Sequence, residues 1–507
     1  MILGESARTG GAGVTLDALF RRAGVRHPDA LALADPPNRA EIDGGAPRRL
    51  TFAETDRAIT ALAARLTRQN LHTDTLVAIQ LGNTVDSVIA LLGVLRAGMI
   101  AVPVPLLWRH REMVDALGRV GAKAIVTAAR IGTYAHAEMA MQVAAELFPI
   151  RAICGFGENL PDGVVPLDDI FVPDPNAAMP GAARSGDPAA HLAAITFDST
   201  RDGFVPVARS HRELIAGGVS VFLESGMVPE APILSTIPLG SFAGLAATLV
   251  PWLLGGGALH LHHAFDAAAF AEQSAGIDSG SAVIPGGALA ALAEAGLLHN
   301  ARNVVALWRS PERLAAGDAW TGVAALTDVC SFGEVGVIAA RRGGDGLLVP
   351  TPHGAIRARH DDATLLIETL RTKGATLALR GPMVPAHAFP PGAERGGGPY
   401  LVADAAGFVD TGFTCQRDDL FGTLTITGSP AGFASIGGYR FRQNEVDASV
   451  AAADPAATIV ALPDALLGER LAGTTPDRVG TESELEARGA NPLIAAAFRR
   501  RNEADAA

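Results

Sequence analysis

Residues 196–214 read TFDSTRDGFVPVARSHREL, and their layout predicts a strand, a short polar turn and then a helix. The strand is expected at 193–197, and the helix is expected to open near Ser210 and His211. A turn rich in serine, threonine and glycine at such a position is typical of loops that bind phosphate through backbone N–H groups. An ordinary surface turn before a helix is the alternative interpretation, because short turns of this composition are common.

Further motifs follow in order from about residue 15 to residue 473. They are TFAE at 51–54, VAI at 77–79, LGN at 81–83, LLGVLRAGMIAVPVP at 91–105, LLGGG at 253–257, LRGPM at 379–383, GGYRF at 437–441 and LGER at 467–470. Together with residues 196–214, their order and spacing resemble those of the adenylate-forming superfamily, which includes acyl-CoA synthetases and aryl-acid ligases.

The resemblance implies an α/β fold with two domains. The large N-terminal domain, placed at residues 1–428, would contain several subdomains in which helices flank mainly parallel sheets. A small α+β C-terminal lid domain would follow at residues 429–507, shorter than is usual in this family.

The pattern of the sequence independently favours α/β architecture. Amphipathic helical runs at 54–66 and 84–97 alternate with short β-branched segments at 76–80, 124–127 and 231–237. Buried strands that alternate with helices are typical of parallel sheets.

Length and composition exclude several classes of protein. A chain of 507 residues is too long for one hydrophobic core, and its net charge of −12 argues against a nucleic-acid partner. The three cysteines, Cys154, Cys330 and Cys415, lack metal-ligand spacing, which favours a reducing cytoplasm. The most apolar stretch, 245–259, is broken by Pro251 and is shorter than the roughly 20 residues of a membrane span. We therefore expect a cytoplasmic protein without a signal peptide or membrane span.

The resemblance also implies a reaction. Family members join a carboxylic acid to ATP, with Mg²⁺, to form an acyl-adenylate, and then transfer the acyl group to a thiol. The implied cofactors are ATP, Mg²⁺ and CoA. The implied partners are a small carboxylic acid or acyl thioester and an acyl carrier protein.

The family's nucleotide-binding motifs map onto a set of residues in three segments of this chain. These residues are Ser199, Thr200, Gly203, Phe332, Gly333, Glu334, Thr411 and Gly412. The resemblance makes Glu334 the candidate contact to Mg²⁺ or ATP, and a structural carboxylate is the alternative.

The same motifs depart from the family where its members contact the nucleotide. Thr200 and Asp202 stand in place of a glycine and a threonine, and Val205 stands in place of the loop lysine. Phe413 replaces the aspartate that binds ribose, and Ser429 replaces an arginine. A carboxylate near the phosphates would repel them, and an apolar side chain cannot offset their charge or accept ribose hydrogen bonds.

The lysines and the residues expected behind adenine also differ from those of the family. Lys123 and Lys373 are the only two lysines, and neither matches the catalytic lysine that the family carries near its C-terminus. Trp308 and Arg309 stand where the family has small residues behind adenine, so they would crowd a purine. Removing one preorganised charge stabiliser typically costs about 10²–10³ in rate.

The pocket and the post-hinge element are identified by the same resemblance. The acyl pocket is expected between two segments, with Ser241, Phe242, Gly244, Pro285, Gly286 and Gly287 as its residues. The post-hinge element is expected at Gly437, Gly438, Tyr439 and Arg440.

Two other patterns allow a different chemistry. His260 and His262 would share one face of a strand and could bind a metal, although the family has a strand end beside its acyl pocket there. Ser210, His211 and Ser241 could suggest nucleophilic catalysis, but no GxSxG elbow accompanies them. No firm metal site is predicted.

Two hypotheses therefore remain open. The first is a divergent AMP-dependent acid–thiol ligase with impaired adenylation, in which Arg201, Arg209 or Arg309 covers the lost charges. The second is a non-adenylating pseudoenzyme that binds an acyl group, CoA or a carrier protein. In either case we expect weak or absent Mg-ATP binding, a persistent acyl-sized cavity, and Trp308 and Phe413 near the position of the nucleotide.

Overall fold

Four β-sheets organise the chain. The computed structural model describes residues 13–173, 184–277, 279–314, 319–359, 361–385, 387–396 and 399–499. Two large sheets, A and B, have parallel interiors, with antiparallel pairing at both edges of sheet A and at one edge of sheet B. Sheets C and D are antiparallel.

The strands of each sheet are given in spatial order. Sheet A contains Gly336–Arg341, Ala325–Phe332, Asn303–Trp308, Ser281–Pro285, Ile233–Ser235, Leu259–Leu261, Leu31–Ala34 and Arg49–Thr51. Sheet B contains Val165–Pro166, Ala152–Phe156, Ala124–Ala128, Leu76–Ile79, Ile100–Pro103, Leu192–Thr200 and Gly203–Ser210. Sheet C contains Thr351–Pro352, Thr423–Gly428, Val409–Asp418, Thr376–Arg380, Asp361–Arg371 and Gly354–Ala358. Sheet D contains Tyr439–Arg442, Phe433–Ile436, Gly468–Thr474 and Thr458–Asp464.

Helices connect and cover these sheets. The α-helices are Leu16–Arg26, Arg39–Asp43, Phe52–Arg68, Val85–Arg96, His110–Val120, His136–Glu146, His211–Ser225, Phe242–Gly244, Val250–Gly255, Ala267–Ala275, Leu289–Glu294, Gln443–Ala453, Arg478–Ala487 and Pro492–Ala495. The short 3₁₀ turns are Asp168–Phe171, Pro188–Ala190, Gly286–Ala288, Pro311–Arg313, Ala393–Arg395 and Ala496–Phe498.

Local sequence explains where key helices begin. Thr51 accepts a hydrogen bond from the Glu54 backbone N–H and the Glu54 carboxylate accepts one from Thr51, so a capping box starts the helix Phe52–Arg68. Ser210 and Glu213 form the same arrangement at the start of His211–Ser225. Both N-terminal signals are visible in the sequence.

A π-helical turn at Leu245–Leu249 joins the helices Phe242–Gly244 and Val250–Gly255. Pro251 lies just beyond this turn. A proline lacks a donor and clashes with the carbonyl four residues earlier, which regular α-helical geometry cannot accommodate, so it accounts for the turn.

The predicted fold class is confirmed. Sheets A, B and C form the larger part of the chain, and sheet D forms a smaller C-terminal unit with the helices Gln443–Ala453 and Arg478–Ala487. The boundary near Gly428 remains a prediction. Within the described part of the chain, no helix combines the length and hydropathy that a bilayer span requires.

The fold places the functional region at one edge of the two large sheets. Strands of sheet A end at Ser235, Pro285 and Phe332, and a strand of sheet B ends at Pro103. Parallel strands bring their carboxyl ends to the same edge, where ligands of α/β proteins usually bind. Sheet D covers this edge, and Ser310 and Ser435 are hydrogen-bonded across the contact (3.0 Å).

Candidate functional site: two cavities beneath the C-terminal sheet

The strand predicted at 193–197 and the helix start predicted near Ser210 and His211 are both present, but the segment between them is the second strand of a β-hairpin, so the predicted phosphate-binding turn was wrong. Strand Leu192–Thr200 pairs antiparallel with Gly203–Ser210, and the ladder reaches Thr200 and Gly203, leaving Arg201 and Asp202 as the turn. Successive N–H groups of a strand point in opposite directions, whereas a phosphate loop needs successive N–H groups that converge.

Val205 belongs to this hairpin and is buried, with 4% of its surface exposed. It pairs with Asp198 on the neighbouring strand. Gly203, which was assigned to the nucleotide site, has a φ of +135° and sits at the hairpin turn, where the Arg119 guanidinium packs against it. The hairpin therefore uses these positions for pairing and packing.

A small polar cavity of about 80 Å³ lies between the hairpin, sheet A and the C-terminal unit. Its charged and hydroxyl residues are Asp198, Ser199, Ser241, Arg309, Ser331, Glu334, Tyr439 and Arg440. Of the residues that the family resemblance assigns to the nucleotide, Ser199, Gly333 and Glu334 line this cavity.

Asp198 and Glu334 meet on one side of this cavity. The Glu334 N–H donates to Oδ2 of Asp198 (3.0 Å), and Gly333 has a φ of +58°. A Cβ at Gly333 would lie 2.3 Å from Oδ2 of Asp198, so glycine is required for this approach. The Glu334 carboxylate accepts a hydrogen bond from the Phe242 N–H (2.7 Å), and burial raises its pKa, although Arg209 opposes the shift.

Arg209 lies behind Glu334, and 1% of its surface is exposed. Its guanidinium donates to the backbone carbonyls of Glu334, Val335 (3.0 Å) and Met383 (3.3 Å). It also stacks on Phe242, with Cζ 3.7 Å from the ring centroid. Burial lowers the pKa of Arg209 to about 10, against the opposing effect of Glu334. Arg209 thus joins three segments of the core and does not line either cavity described here.

Two other arginines do reach the small cavity. Arg440, from the post-hinge strand, lies 3.5 Å from Oδ1 of Asp198, with its Cζ 4.8 Å from the Phe413 ring centroid. Arg309 donates from Nη2 to Oγ of Ser241 (2.8 Å). Arg201, by contrast, is exposed at the hairpin turn.

Phe413 is fully buried at the base of this region. It packs edge-on against Phe332, with ring centroids 5.4 Å apart and an interplanar angle of 87°. The neighbouring Thr411 hydroxyl donates to the Leu377 carbonyl (2.7 Å) and accepts from the Phe413 N–H (3.3 Å). Thr411 and Gly412 therefore shape strand Val409–Asp418 and do not line the small cavity.

The residues at this position do not fit Mg-ATP. The small cavity, at about 80 Å³, is below the roughly 300–1,000 Å³ of ordinary ligand pockets. Another cavity of about 930 Å³ shares Ser199, Tyr439 and Arg440 with it as wall residues. Neither Lys123 nor Lys373 lines the small cavity, and Phe413 offers ribose no acceptor. Over the described residues, no group of three or more His, Cys, Asp and Glu side chains is arranged to hold a metal ion.

A much larger cavity of about 660 Å³ adjoins the small one. Its lining is mostly aliphatic side chains and glycine backbone: Leu81, Val104, Pro105, Leu106, Leu107, Ile237, Pro238, Gly240, Pro285, Gly286, Gly287, Ala288, Ala291, Leu292, Leu307, Ile436, Gly437, Gly438, Leu466, Leu467 and Leu493. The two cavities share Pro105, Gly240, Arg309, Gly438 and Tyr439 as wall residues.

Trp308 forms part of the wall of the large cavity. Its indole N–H donates to Oδ1 of Asp328 (2.9 Å), and a Cβ at Gly286 would lie 2.3 Å from the indole ring. Because Gly286 has no side chain, the indole stacks on its backbone and the cavity stays open. Trp308 thus lies at the large cavity, whereas Phe413 lines neither cavity and packs against Arg440, which lines the small one.

The structure brings together only part of the predicted acyl pocket. Pro285, Gly286 and Gly287 line the large cavity, while Ser241 lines the small one. Phe242 and Gly244 are instead buried: a Cβ at Gly244 would lie 2.1 Å from the Pro238 carbonyl oxygen.

The alternative histidine and serine patterns have structural roles. Nδ1 of His262 bonds Oε1 of Gln273 (2.7 Å) and its Nε2 accepts from the Asp266 N–H (3.2 Å). Ser210 caps a helix, and Nδ1 of His211 accepts a hydrogen bond from the Leu16 N–H (3.3 Å). Both ring nitrogens of His262 and the hydroxyl of Ser210 are therefore engaged in hydrogen bonds.

Asp198 was not predicted as a site residue. An acidic residue near the carboxyl end of an apolar strand is a signal that could have indicated it, because such strand ends usually carry binding residues.

Arg313 was not predicted either. It donates to the carbonyls of Asp464 (3.5 Å), Ala465 (2.6 Å) and Leu466 (3.4 Å) and thereby holds the C-terminal unit over the large cavity.

Comparisons with known proteins agree with this architecture. The family model described as "AMP-binding enzyme" matches residues 20–277, just over half of the chain. The chain is 29% identical over 108 residues to the beauvericin nonribosomal cyclodepsipeptide synthetase of Gibberella fujikuroi, covering 21% of this chain and 3% of that protein. It is 28% identical over 113 residues to the phosphinothricin tripeptide synthetase PhsC of Streptomyces viridochromogenes, covering 22% of this chain and 10% of that protein.

Solved structures are similar over nearly the whole chain. A double mutant of o-succinylbenzoate CoA synthetase from Bacillus subtilis has a TM-score of 0.66 at 15% identity, with 94% of this chain and 93% of that chain covered. NpsA-ThdA, an artificially fused adenylation–PCP di-domain from Klebsiella oxytoca, has a TM-score of 0.66 at 17% identity, with 95% and 92% covered. At these identities the similarity concerns the fold.

Proposed function

The chain belongs to the family of AMP-binding enzymes, and we propose that it is a member that binds an apolar acyl ligand without forming an adenylate. The resemblance to adenylate-forming enzymes is thereby confirmed. The proposal selects the second of the two hypotheses.

The contrast between the two adjoining cavities carries this proposal. The small cavity, which includes Ser199, Gly333 and Glu334, has a volume of about 80 Å³ and contains charged side chains that bond neighbouring groups. The adjoining cavity, at about 660 Å³, lies within the range of roughly 300–1,000 Å³ that is usual for small-molecule sites.

The lining of the large cavity supports an acyl group as its ligand. Aliphatic side chains stabilise a hydrocarbon through the removal of apolar surface from water, by about 25 cal/mol per Å². Glycine backbone at Gly286, Gly287 and Gly240 leaves room for it. Trp308 contributes an aromatic face on one side of the cavity.

Calorimetric titration of the full chain tests the proposal. We expect no heat of binding with Mg-ATP up to millimolar nucleotide, and saturable binding of octanoate or 1-octanol. Micromolar affinity for Mg-ATP, or pyrophosphate exchange that depends on added octanoate, would overturn it. Failure of both apolar probes to bind would overturn its acyl-binding half.

One observation favours the divergent ligase as a second candidate. Arg309 and Arg440 both line the small cavity and could offset phosphate charge if the C-terminal unit moved away. In that case Mg-ATP binding would be measurable and would weaken in Arg440→Met. The transfer partner would then be CoA or a carrier protein, as the family implies.

A further inference from the structure

Arg309 occupies the junction of the two cavities. It lies directly after strand Asn303–Trp308 and lines both the large and the small cavity. Gly438 packs against its aliphatic stem, since a Cβ there would lie 2.5 Å from Cβ and Cδ of Arg309. The guanidinium extends to Ser241, at the polar end. An apolar ligand in the large cavity would therefore have its head group near Arg309.

The charge of Arg309 is not balanced by an ion pair. Among the described residues, its guanidinium donates to the neutral hydroxyl of Ser241, and no carboxylate forms a salt bridge with it. The nearest acidic groups are engaged elsewhere. Asp198 bonds the Glu334 N–H and faces Arg440, and the Glu334 carboxylate accepts from Phe242.

The surroundings of Arg309 favour an added negative charge. Burial lowers the pKa of its guanidinium, and the nearby Arg440 lowers it further while Glu334 opposes the shift. Arg309 is partly buried, and a partly desolvated charge without an ionic partner is costly, so a ligand that supplies the partner recovers part of that cost. A guanidinium presents a planar fork of N–H donors that matches a carboxylate.

We propose that Arg309 binds the carboxylate of an apolar carboxylic acid whose hydrocarbon body fills the large cavity. This inference rests on the proposed function and deepens it, because it assigns the head group of the ligand and the residue that holds it. The ligand is then the free acid, held in its unactivated form, since a thioester has no anionic head group for Arg309.

The binding test compares two probes of equal chain length, octanoate and 1-octanol. For the wild-type chain we expect octanoate to bind at least tenfold more tightly than 1-octanol, a difference of about 1.4 kcal/mol. In Arg309→Met, which retains the stem beneath Gly438, the ratio should fall to about one. Arg309→Lys keeps the charge without the fork and should give an intermediate ratio.

Arg313→Met is the matched control. Arg313 lines the same large cavity, but its guanidinium bonds backbone carbonyls of the C-terminal unit. Its loss should weaken both probes alike and leave their ratio unchanged. Equal affinity of the wild-type chain for both probes would overturn the assignment of Arg309 while leaving the proposed function intact, whereas failure of both to bind would contradict the proposed function itself.

A spectroscopic readout separates head-group binding from a structural effect. The carboxyl carbon of ¹³C-labelled octanoate should titrate at lower pH when bound to the wild-type chain than when free, because a nearby guanidinium favours the ionised form. In Arg309→Met this shift should disappear. A bound signal that titrates as in free octanoate in the wild-type chain would overturn the proposal.

Discussion

The two cavities share a wall, yet one has a volume of about 80 Å³ and the other a volume of about 660 Å³. The small cavity is lined by groups that satisfy one another, such as Asp198 with the Glu334 N–H and with Arg440. Polar groups of opposite character can thus close over the space between them. The large cavity is lined by aliphatic side chains and by glycines such as Gly286. Glycine has no side chain that could occupy the space.

Under the proposed function, the family fold has lost one site and kept its neighbour. Phe413 and Val205, at positions where the resemblance implies nucleotide contacts, are buried and add apolar surface to the core, which is stabilising. A larger residue in place of Gly286 would not stabilise the core in the same way. Trp308 already stacks on the Gly286 backbone, and any side chain there would collide with the indole.

The substitution with the largest expected effect is Arg209→Met, which tests whether Arg209 is part of the core or a remnant of a charged ligand site. Arg209→Met leaves three backbone carbonyls without their donor and leaves Glu334 without its nearest buried cation. We expect the free energy of unfolding to fall by about 3–5 kcal/mol, measured by urea denaturation.

Arg201→Met provides the control for this measurement. Arg201 is exposed at the hairpin turn, so its replacement should change the stability by less than about 0.5 kcal/mol. If Arg209→Met were equally mild, the buried guanidinium would not be a structural element and the comparison between the cavities would need revision.

A smaller effect is expected when the aspartate of the family motif is restored. Phe413→Asp removes a fully buried ring that packs on Phe332, so we expect a loss of about 3–4 kcal/mol in unfolding free energy. Arg440 lies close enough to pair with the new carboxylate, which limits the loss. Calorimetry should still detect no Mg-ATP binding, because Val205 and the absent lysine are unrepaired.

Phe413→Leu is the matched variant for this test. It keeps the site apolar and should cost no more than about 1.5 kcal/mol. Recovery of Mg-ATP binding in Phe413→Asp, with none in Phe413→Leu, would show that one side chain closes the nucleotide site and would favour the divergent ligase.

Sequence predicted the elements that depend on local signals. The motif TFAE at 51–54 contains the capping box of Phe52–Arg68, and the apolar segment 91–105 supplies a buried helix and strand of the parallel core. These features need only nearby residues. The second strand of the hairpin was not predicted because its apolar run at 204–208 contains Pro206, and a proline within such a run argues against a strand.

The site was less predictable because it depends on closure of the C-terminal unit. The pairing of Asp198 with Arg440 joins residues that are far apart in the sequence, and it forms only when sheet D lies over sheet B. The junction position of Arg309 likewise depends on Gly438. Motif spacing identified these residues individually but carried no information about their contacts.

The large cavity can be narrowed without altering the small one. Ala288 lines the large cavity, and Ala288→Phe would place a ring in it. We expect octanoate to bind at least about tenfold more weakly, or about 1.4 kcal/mol, by calorimetry. Ala290→Phe, at an exposed position nearby that does not line the cavity, should alter affinity by less than about twofold. Equal weakening by both variants would place the ligand elsewhere.

The smallest effect concerns the protonation of Glu334 in the small cavity. Burial raises the pKa of this carboxyl above its ordinary value of 4.5, so near that pH the folded chain retains a proton that the unfolded chain loses. The stability that Glu334 contributes is therefore fully present below pH 4.5 and is lost as the pH rises through the folded-state pKa. Each unit of difference corresponds to about 1.4 kcal/mol.

Glu334→Gln removes the titration while keeping an acceptor for the Phe242 N–H. Urea denaturation of both proteins over a pH series isolates the Glu334 contribution, because every other group titrates in both. The unfolding free energy of the wild-type chain, relative to the variant, should be constant at low pH and then decline as pH increases. A relative stability that rises with pH would mean that Arg209 and the Phe242 N–H stabilise the ionised carboxylate. Glu334 would then remain available as a cation ligand, and the small cavity would be closer to a nucleotide site than its volume indicates.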